Sequence, residues 1–154
     1  MTTHKTARTL SGNASLNLDD QLCFALYSAS LAMNKVYRDA LKPLGITYPQ
    51  YLVFLVLWEN DRRTVSEIGH RLYLDSATLT PLLKRMEAAG WLTRERDRAD
   101  ERVVLVSLTA SGRALRESAH AIPGSLLCRS RLPVDELAGL RDALAGLRDG
   151  LLDS

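Results

Sequence analysis

Two thiols are the residues of this chain best suited to chemistry beyond packing. Cys23 sits in the apolar run Leu22-Cys23-Phe24-Ala25-Leu26-Tyr27, and the other cysteine, Cys128, lies far along the sequence. A thiolate attacks peroxides, and its first oxidation product is a sulfenic acid that a second thiol can trap as a disulfide. A free cysteine, with a pKa of about 8.5, is mostly thiol at neutral pH, so this chemistry needs neighbours that favour the charged form. The competing reading is structural, because cysteine on an apolar helix face is ordinarily a small buried hydrophobe. The residues alone leave both readings open. Other chemistries find no footing. His4, His70 and His120 are scattered without metal-ligand spacing, no glycine-rich phosphate loop is present, and no histidine is paired with a nucleophile. No metal and no cofactor is expected, and nothing marks the chain as an enzyme.

The chain has 154 residues, enough for one well-buried domain. Hydrophobic residues make up 46% and charged residues 25%, ordinary values for a soluble globular protein. No apolar window is long enough to span a membrane, and the polar N-terminus carries no signal-peptide core. A reducing cytoplasm is therefore the expected compartment, where a standing structural disulfide is improbable. The net charge of +2 permits nucleic-acid binding without demanding it.

The elements that must position the thiols follow from the apolar periodicity. Residues 1–17 read as a flexible arm, with too little apolar surface to order them. Asn17 is placed to cap a helix from Leu18 to about Lys42, with Leu18, Leu22, Ala25, Ala29, Ala32, Val36 and Ala40 on one stripe. Pro43 and Gly45 break it. A very apolar second helix opens at Tyr48-Pro49-Gln50 and runs through Trp58. Thr64 with Glu67 forms a capping box for a short third helix ending near Leu74. A fourth helix runs from about Ser76 to Ala89 and is stopped by Gly90. Two β-like runs, Trp91–Glu95 and Arg102–Leu108, flank a charged turn and read as a hairpin. A long helix follows from Thr109 or Ala110 and is bent or interrupted at Pro123-Gly124. Pro133 opens the last helix, whose Leu137, Leu140, Leu144, Leu147 and Leu151 recur at spacings of 3, 4, 3 and 4. That seam suits packing on another helix, either of its own core or of a second copy.

Two short helices followed by a hairpin with a charged tip is the layout of a winged helix-turn-helix, whose second helix enters the major groove of DNA. Here that helix carries Ser76, Thr78, Thr80, Lys84 and Arg85, hydroxyls and cations suited to phosphates and base edges. Arg94, Arg96, Arg98 and Arg102 flank or form the hairpin, where arginine fits a narrow minor groove. Charge alone does not decide the matter: between Arg62 and Arg102 nine Lys/Arg stand against seven Asp/Glu.

The run Leu74-Asp75-Ser76-Ala77-Thr78-Leu79-Thr80-Pro81-Leu82-Leu83-Lys84-Arg85-Met86-Glu87, then Gly90-Trp91-Leu92, resembles the recognition helix of the MarR family of dimeric repressors. Asp100-Glu101-Arg102-Val103-Val104-Leu105-Val106-Ser107-Leu108-Thr109 is similar to that family's wing, and the resemblance covers about residues 18–152. Asp75-Ser76 through Pro81, with Asp19-Asp20-Gln21-Leu22-Cys23-Phe24, is similar to the organic-hydroperoxide-sensing, OhrR-type branch. The resemblance implies a mainly α fold with a small β-wing, in which 18–47 and 110–154 supply dimerisation helices and 48–109 the winged helix-turn-helix. It also requires the fourth helix to begin at Ser76. Pro81 then falls in its second turn, where local distortion is expected.

Within that branch the early cysteine is oxidised by the peroxide, two tyrosines donate hydrogen bonds to its thiolate, and a second cysteine can resolve the product. The matching positions are Cys23, Tyr37 with Tyr48, and Cys128, and the resemblance implies that Cys128 bonds Cys23 of the other subunit. Tyr27, one turn after Cys23, is placed to line an apolar pocket. Tyr37 stands fourteen residues beyond Cys23. A straight helix of that length returns to within about 40° of the same face but rises about 21 Å. Tyr37 can therefore reach only the other chain's Cys23, so the sensor entails a homodimer. The expected partners are a double-stranded, pseudo-palindromic operator and an organic hydroperoxide. The rival readings are a MarR-type regulator released by a bound phenolic ligand, a small thiol peroxidase, and a dimeric interaction protein without DNA binding.

Overall fold

The computed structural model describes residues 15–154, so the arm expected over residues 1–17 lies, up to residue 14, outside the described residues. The chain divides into two compact units, Met1–Lys35 and Val36–Ser154.

In the first unit, Leu18–Asp20 form a single 3-10 turn, and helix α1 is Leu22–Leu41, of which the part up to Lys35 belongs to this unit. The helix expected from Leu18 is thus split. Gln21 is extended (φ −86°, ψ 118°) and Asn17 caps nothing. Asp20 Oδ2 accepts from Ser15 Oγ at 2.7 Å and from Asn17 Nδ2 at 3.4 Å. Beyond it α1 presents Leu22, Phe24, Tyr27, Leu31 and Met33 exposed, a run of large apolar side chains without cover.

The second unit holds the core. Leu41 ends α1, a 3-10 turn Lys42–Leu44 contains Pro43, and Gly45 takes the left-handed conformation (φ 70°) that turns the chain. Helix α2 is Tyr48–Glu59. Its cap is Thr47, which accepts from Gln50 N while Gln50 Oε1 accepts from Thr47 N at 2.9 Å. α2 is apolar around its circumference and is accordingly buried, through Tyr51, Val53, Phe54, Val56 and Leu57. A two-residue strand β1, Arg63–Thr64, leads into α3, Val65–Leu72. The expected capping box is present, with Glu67 Oε2 accepting from Thr64 N at 2.7 Å and Thr64 Oγ1 from Glu67 N at 3.1 Å.

Helix α4, Ser76–Ala88, begins where the fourth helix was expected and continues through Pro81. Asp75 is its N-cap, accepting from Thr78 N at 2.8 Å. Leu79, Leu82, Leu83 and Met86 recur at helical spacing and form its buried face. Strands β2, Leu92–Arg96, and β3, Val104–Leu108, make the expected hairpin, paired from Leu92–Leu108 to Arg96–Val104. β1 pairs with the other edge of β3, giving an antiparallel sheet in the order β1-β3-β2. Two residues are too few to show strand periodicity, which is why β1 was not legible.

Helix α5, Ala110–Ala119, is capped by Thr109, whose Oγ1 accepts from Gly112 N at 3.2 Å. Gly112 sits where α5 meets α2 and the end of β3. A Cβ there would run into the carbonyl oxygen of Trp91, and Trp58 Nε1 donates to the Gly112 carbonyl at 3.0 Å. Helix α6 is Ile122–Ser130, and the break before it falls at His120-Ala121. Pro123 thus occupies the first turn of α6, where a missing N–H leaves no helical bond unmade. Helix α7, Val134–Leu152, has no fully buried residue, and Leu137, Leu144 and Leu147 of its leucine row are half-buried. Among the described residues no single helix is long and apolar enough to cross a membrane.

Candidate functional site

Three tyrosines gather on the rim of the core. α1 carries Tyr37 near its end, and α2 carries Tyr48 and Tyr51 one turn apart. The Tyr37 and Tyr48 ring centroids are 4.6 Å apart, and Tyr51 lies 6.0 Å from Tyr37 and 6.4 Å from Tyr48. Tyr51 is 4% exposed and meets Trp58 edge-on at 6.5 Å. Burial pushes all three phenols above the ordinary tyrosine range, and neighbouring phenols push Tyr37 and Tyr51 further. All three therefore stay protonated at neutral pH. Among the described residues none of these hydroxyls has a hydrogen-bond acceptor. The structure thus brings Tyr37 and Tyr48 together as neutral phenols with protons to donate. Tyr51 was missed, although its place three residues after Tyr48 puts it on the same helix face.

Cys23 and Cys128 are both free thiols and both exposed. Cys23 lies in the first turn of α1, with Tyr27 one turn further on and also exposed. Cys128, on α6, lines an open cavity of about 490 Å³ together with Val36, Ala40, Ala121 and Ser125. Arg129 bridges α6 to the end of α1 through Asp39, at 3.3 Å.

The basic residues divide into two groups. On α4, Ser76, Thr78, Lys84 and Arg85 are exposed and Thr80 is half-buried. Steps of about 100° place Lys84 and Arg85 away from the Leu79–Met86 face, open to solvent. The wing tip is fixed internally. Asp97 N donates to Val103 O at 2.8 Å, and Arg96 Nη1 donates to Glu101 O at 2.8 Å. Asp100 accepts from Arg102 Nε at 3.0 Å and Nη2 at 3.1 Å, which holds its carboxyl below the usual carboxylate range. Arg98 is exposed and makes no ion pair among the described residues.

Arg94 belongs to the second group. Its backbone N–H and its Nη2 both meet the Glu87 carboxylate, at 2.8 and 3.1 Å, which ties β2 to the end of α4. Asp61 does the same for the sheet's other end, accepting from Leu108 N at 2.9 Å. Neither acid was singled out from sequence, since a carboxylate in a mixed-charge stretch gives no sign of a backbone partner so far away.

Comparison with known proteins bears on these elements. The family model for the transcriptional regulator SarA/Rot matches residues 35–118. The organic hydroperoxide resistance transcriptional regulator of Bacillus subtilis (strain 168) is 51% identical over 129 residues, covering 84% of this chain and 88% of that protein. Reduced AbfR bound to DNA superposes with a TM-score of 0.74 at 40% identity, covering 88% of this chain and 94% of the other. Disulfide-formed AbfR gives 0.62 at 42% identity, covering 84% and 91%; AbfR is a protein of Staphylococcus epidermidis. With its capped α3–α4 pair, its β2–β3 wing and these matches along most of its length, the chain belongs to the MarR family of transcriptional regulators, in the organic-hydroperoxide-resistance branch.

Proposed function

We propose that this regulator is a homodimeric repressor acting in the cytoplasm, which binds a pseudo-palindromic operator when reduced and is released when an organic hydroperoxide oxidises Cys23. The observation that carries the reading is the Tyr37–Tyr48 pair, two protonated phenols 4.6 Å apart with no acceptor of their own. A phenol pair of this kind favours a thiolate set against it, while apolar surroundings admit an alkyl peroxide. The exposed apolar run on α1 and the unburied leucine row of α7 support a second copy as their cover. The rise of a helix between Cys23 and Tyr37 then makes the site a two-chain one, with Tyr27 along its wall.

The Cys23 thiolate attacks the distal peroxide oxygen and the O–O bond breaks. The alkoxide leaves, takes a proton and departs as the alcohol, and Cys23 becomes a sulfenic acid. The Cys128 thiolate of the partner chain then attacks that sulfur. An S–S bond forms, the S–O bond breaks, and the departing hydroxide takes a proton from solvent to become water. On DNA, the N-terminal part of α4 with Ser76, Thr78 and Thr80 enters the major groove, Lys84 and Arg85 meet phosphates, and the wing brings Arg98 and Arg102 to the minor groove. Arg94 acts through its bond to Glu87, holding the wing against α4. The two α4 helices must stand about 34 Å apart to fit one turn of DNA, so a small rotation on disulfide formation disengages them. Residues 110–154 with 18–47 form the dimer in this reading.

Non-reducing electrophoresis tests the bridge. Cumene hydroperoxide converts the wild-type chain to a covalent dimer, and Cys128→Ser stays monomeric on the gel. No covalent dimer in the wild type, or one that persists in Cys128→Ser, overturns the assignment of Cys128.

A further inference from the structure

Arg148, in the last turns of α7, lies with its guanidinium carbon 4.6 Å from the centre of the Tyr73 ring. Tyr73 is the residue on which the α3–α4 turn pivots. It caps α3 in the left-handed conformation (φ 56°, ψ 35°), unusual for a bulky side chain. The turn around it has no slack. Leu74 N donates to Gly69 O at 2.9 Å, and a Cβ on Gly69 would come within 2.7 Å of the Leu74 carbonyl oxygen. Asp75, which caps α4, follows two residues after Tyr73. The backbone angles at Tyr73 therefore set where α4 starts and how it points. The Tyr73 ring itself is exposed, and the Arg148 guanidinium lies over it. Asp149 Oδ1 accepts from Arg148 Nε at 2.9 Å and so orients the guanidinium.

The cation-over-ring contact joins two elements with different allegiances. α3 and α4 place residues in the core, whereas α7 has no fully buried residue. We infer that Arg148 is a positioning residue for DNA binding: by seating on Tyr73 it holds the strained α3–α4 turn, and it makes the aim of the recognition helix depend on the placement of α7. The inference deepens the proposed repressor function, because a redox change that moves α7 unseats Arg148. The contact on the reduced protein stands apart from the peroxide chemistry and can be tested without it.

The probe is a duplex selected from a random library by the reduced wild-type protein, with binding read by fluorescence anisotropy. An exposed cation–π contact corresponds to a two- to fivefold effect, about 0.5–1 kcal/mol in the general case. Arg148→Ala is expected to weaken reduced-state binding by about that factor. Arg148→Lys, which keeps a cation, recovers part of it, and Tyr73→Phe, which keeps the ring, binds as the wild type. In a Tyr73→Leu background Arg148→Ala has no further effect. Thermal unfolding of each variant separates loss of fold from loss of aim. Equal binding by wild type and Arg148→Ala overturns the inference, and so does an Arg148→Ala loss that is undiminished in Tyr73→Leu, which would mark Arg148 as a phosphate contact instead. If reduced binding obeys this pattern while peroxide fails to release the wild type, the redox reading fails and the positioning role stands.

Discussion

A Cys23→Ser protein binds operator as tightly as the wild type and keeps binding it after cumene hydroperoxide. Serine is nearly isosteric, and Cys23 is exposed in the single chain, so the change leaves reduced binding and stability nearly untouched. What it removes is the nucleophile, because a serine hydroxyl does not capture peroxide oxygen. Release of the wild type by a hundredfold requires only about 2.7 kcal/mol of coupling between the oxidised site and the DNA-binding face. The variant has none of it, so its binding curve before and after oxidant superimposes. Anisotropy of a labelled operator duplex, titrated with and without cumene hydroperoxide, reads both. Full release of Cys23→Ser would sink the thiol as sensor and leave the phenolic-ligand reading in its place.

The second large effect is on DNA. Lys84→Glu with Arg85→Glu is expected to weaken operator binding by a factor on the order of a thousand or more, since a dimer loses four cations and each base or phosphate contact contributes about 1–3 kcal/mol. Both side chains are exposed and face away from the buried leucines of α4, so the fold is expected to survive. Neutral replacement by glutamine reports the mechanism: the salt dependence of log K flattens by about 0.9 for each phosphate contact removed. Arg94→Gln behaves differently, lowering the melting temperature more than the salt slope, because its guanidinium serves Glu87. An unchanged salt slope in the Lys84/Arg85 variant would show that α4 does not face the phosphates and favour an interaction protein that has lost DNA binding.

Most of the architecture could be read from the chain before the structure was known. The capping box at Thr64 and the glycine stop at Gly90 each have a local cause, and each element formed where that cause placed it. The losses were of features with distant causes. β1 exists only because β3 offers it an edge. Of the candidate site, the pairing of Tyr37 with Tyr48 was legible only through resemblance, since eleven residues and a turn separate them in the sequence. Tyr51 carried a signal in its spacing that was passed over. Arg94 looked like any other wing arginine until its partner on α4 was seen. The Leu137–Leu151 row is ambiguous as a pattern, and on α7 no residue is fully buried while Leu137, Leu144 and Leu147 are half-buried.

The claim on which the rest depends is that Cys23 is activated by phenols of the other chain. Mixed dimers, purified through two tags, test it in one experiment. In the first, one chain carries Cys23→Ser with Tyr37→Phe and the other is wild type, so the single reactive thiol faces a partner without the phenol. In the second, one chain carries Cys23→Ser and the other Tyr37→Phe, so the single thiol faces an intact partner. The measurement is the rate of thiol loss under a single equivalent of cumene hydroperoxide. A hydrogen bond to a charged group contributes about 1.5–3 kcal/mol, so the first dimer is expected to react about tenfold more slowly or worse, and the second at the wild-type rate per thiol. The reverse order would place Tyr37 beside the Cys23 of its own chain, and equal rates would remove it from the site.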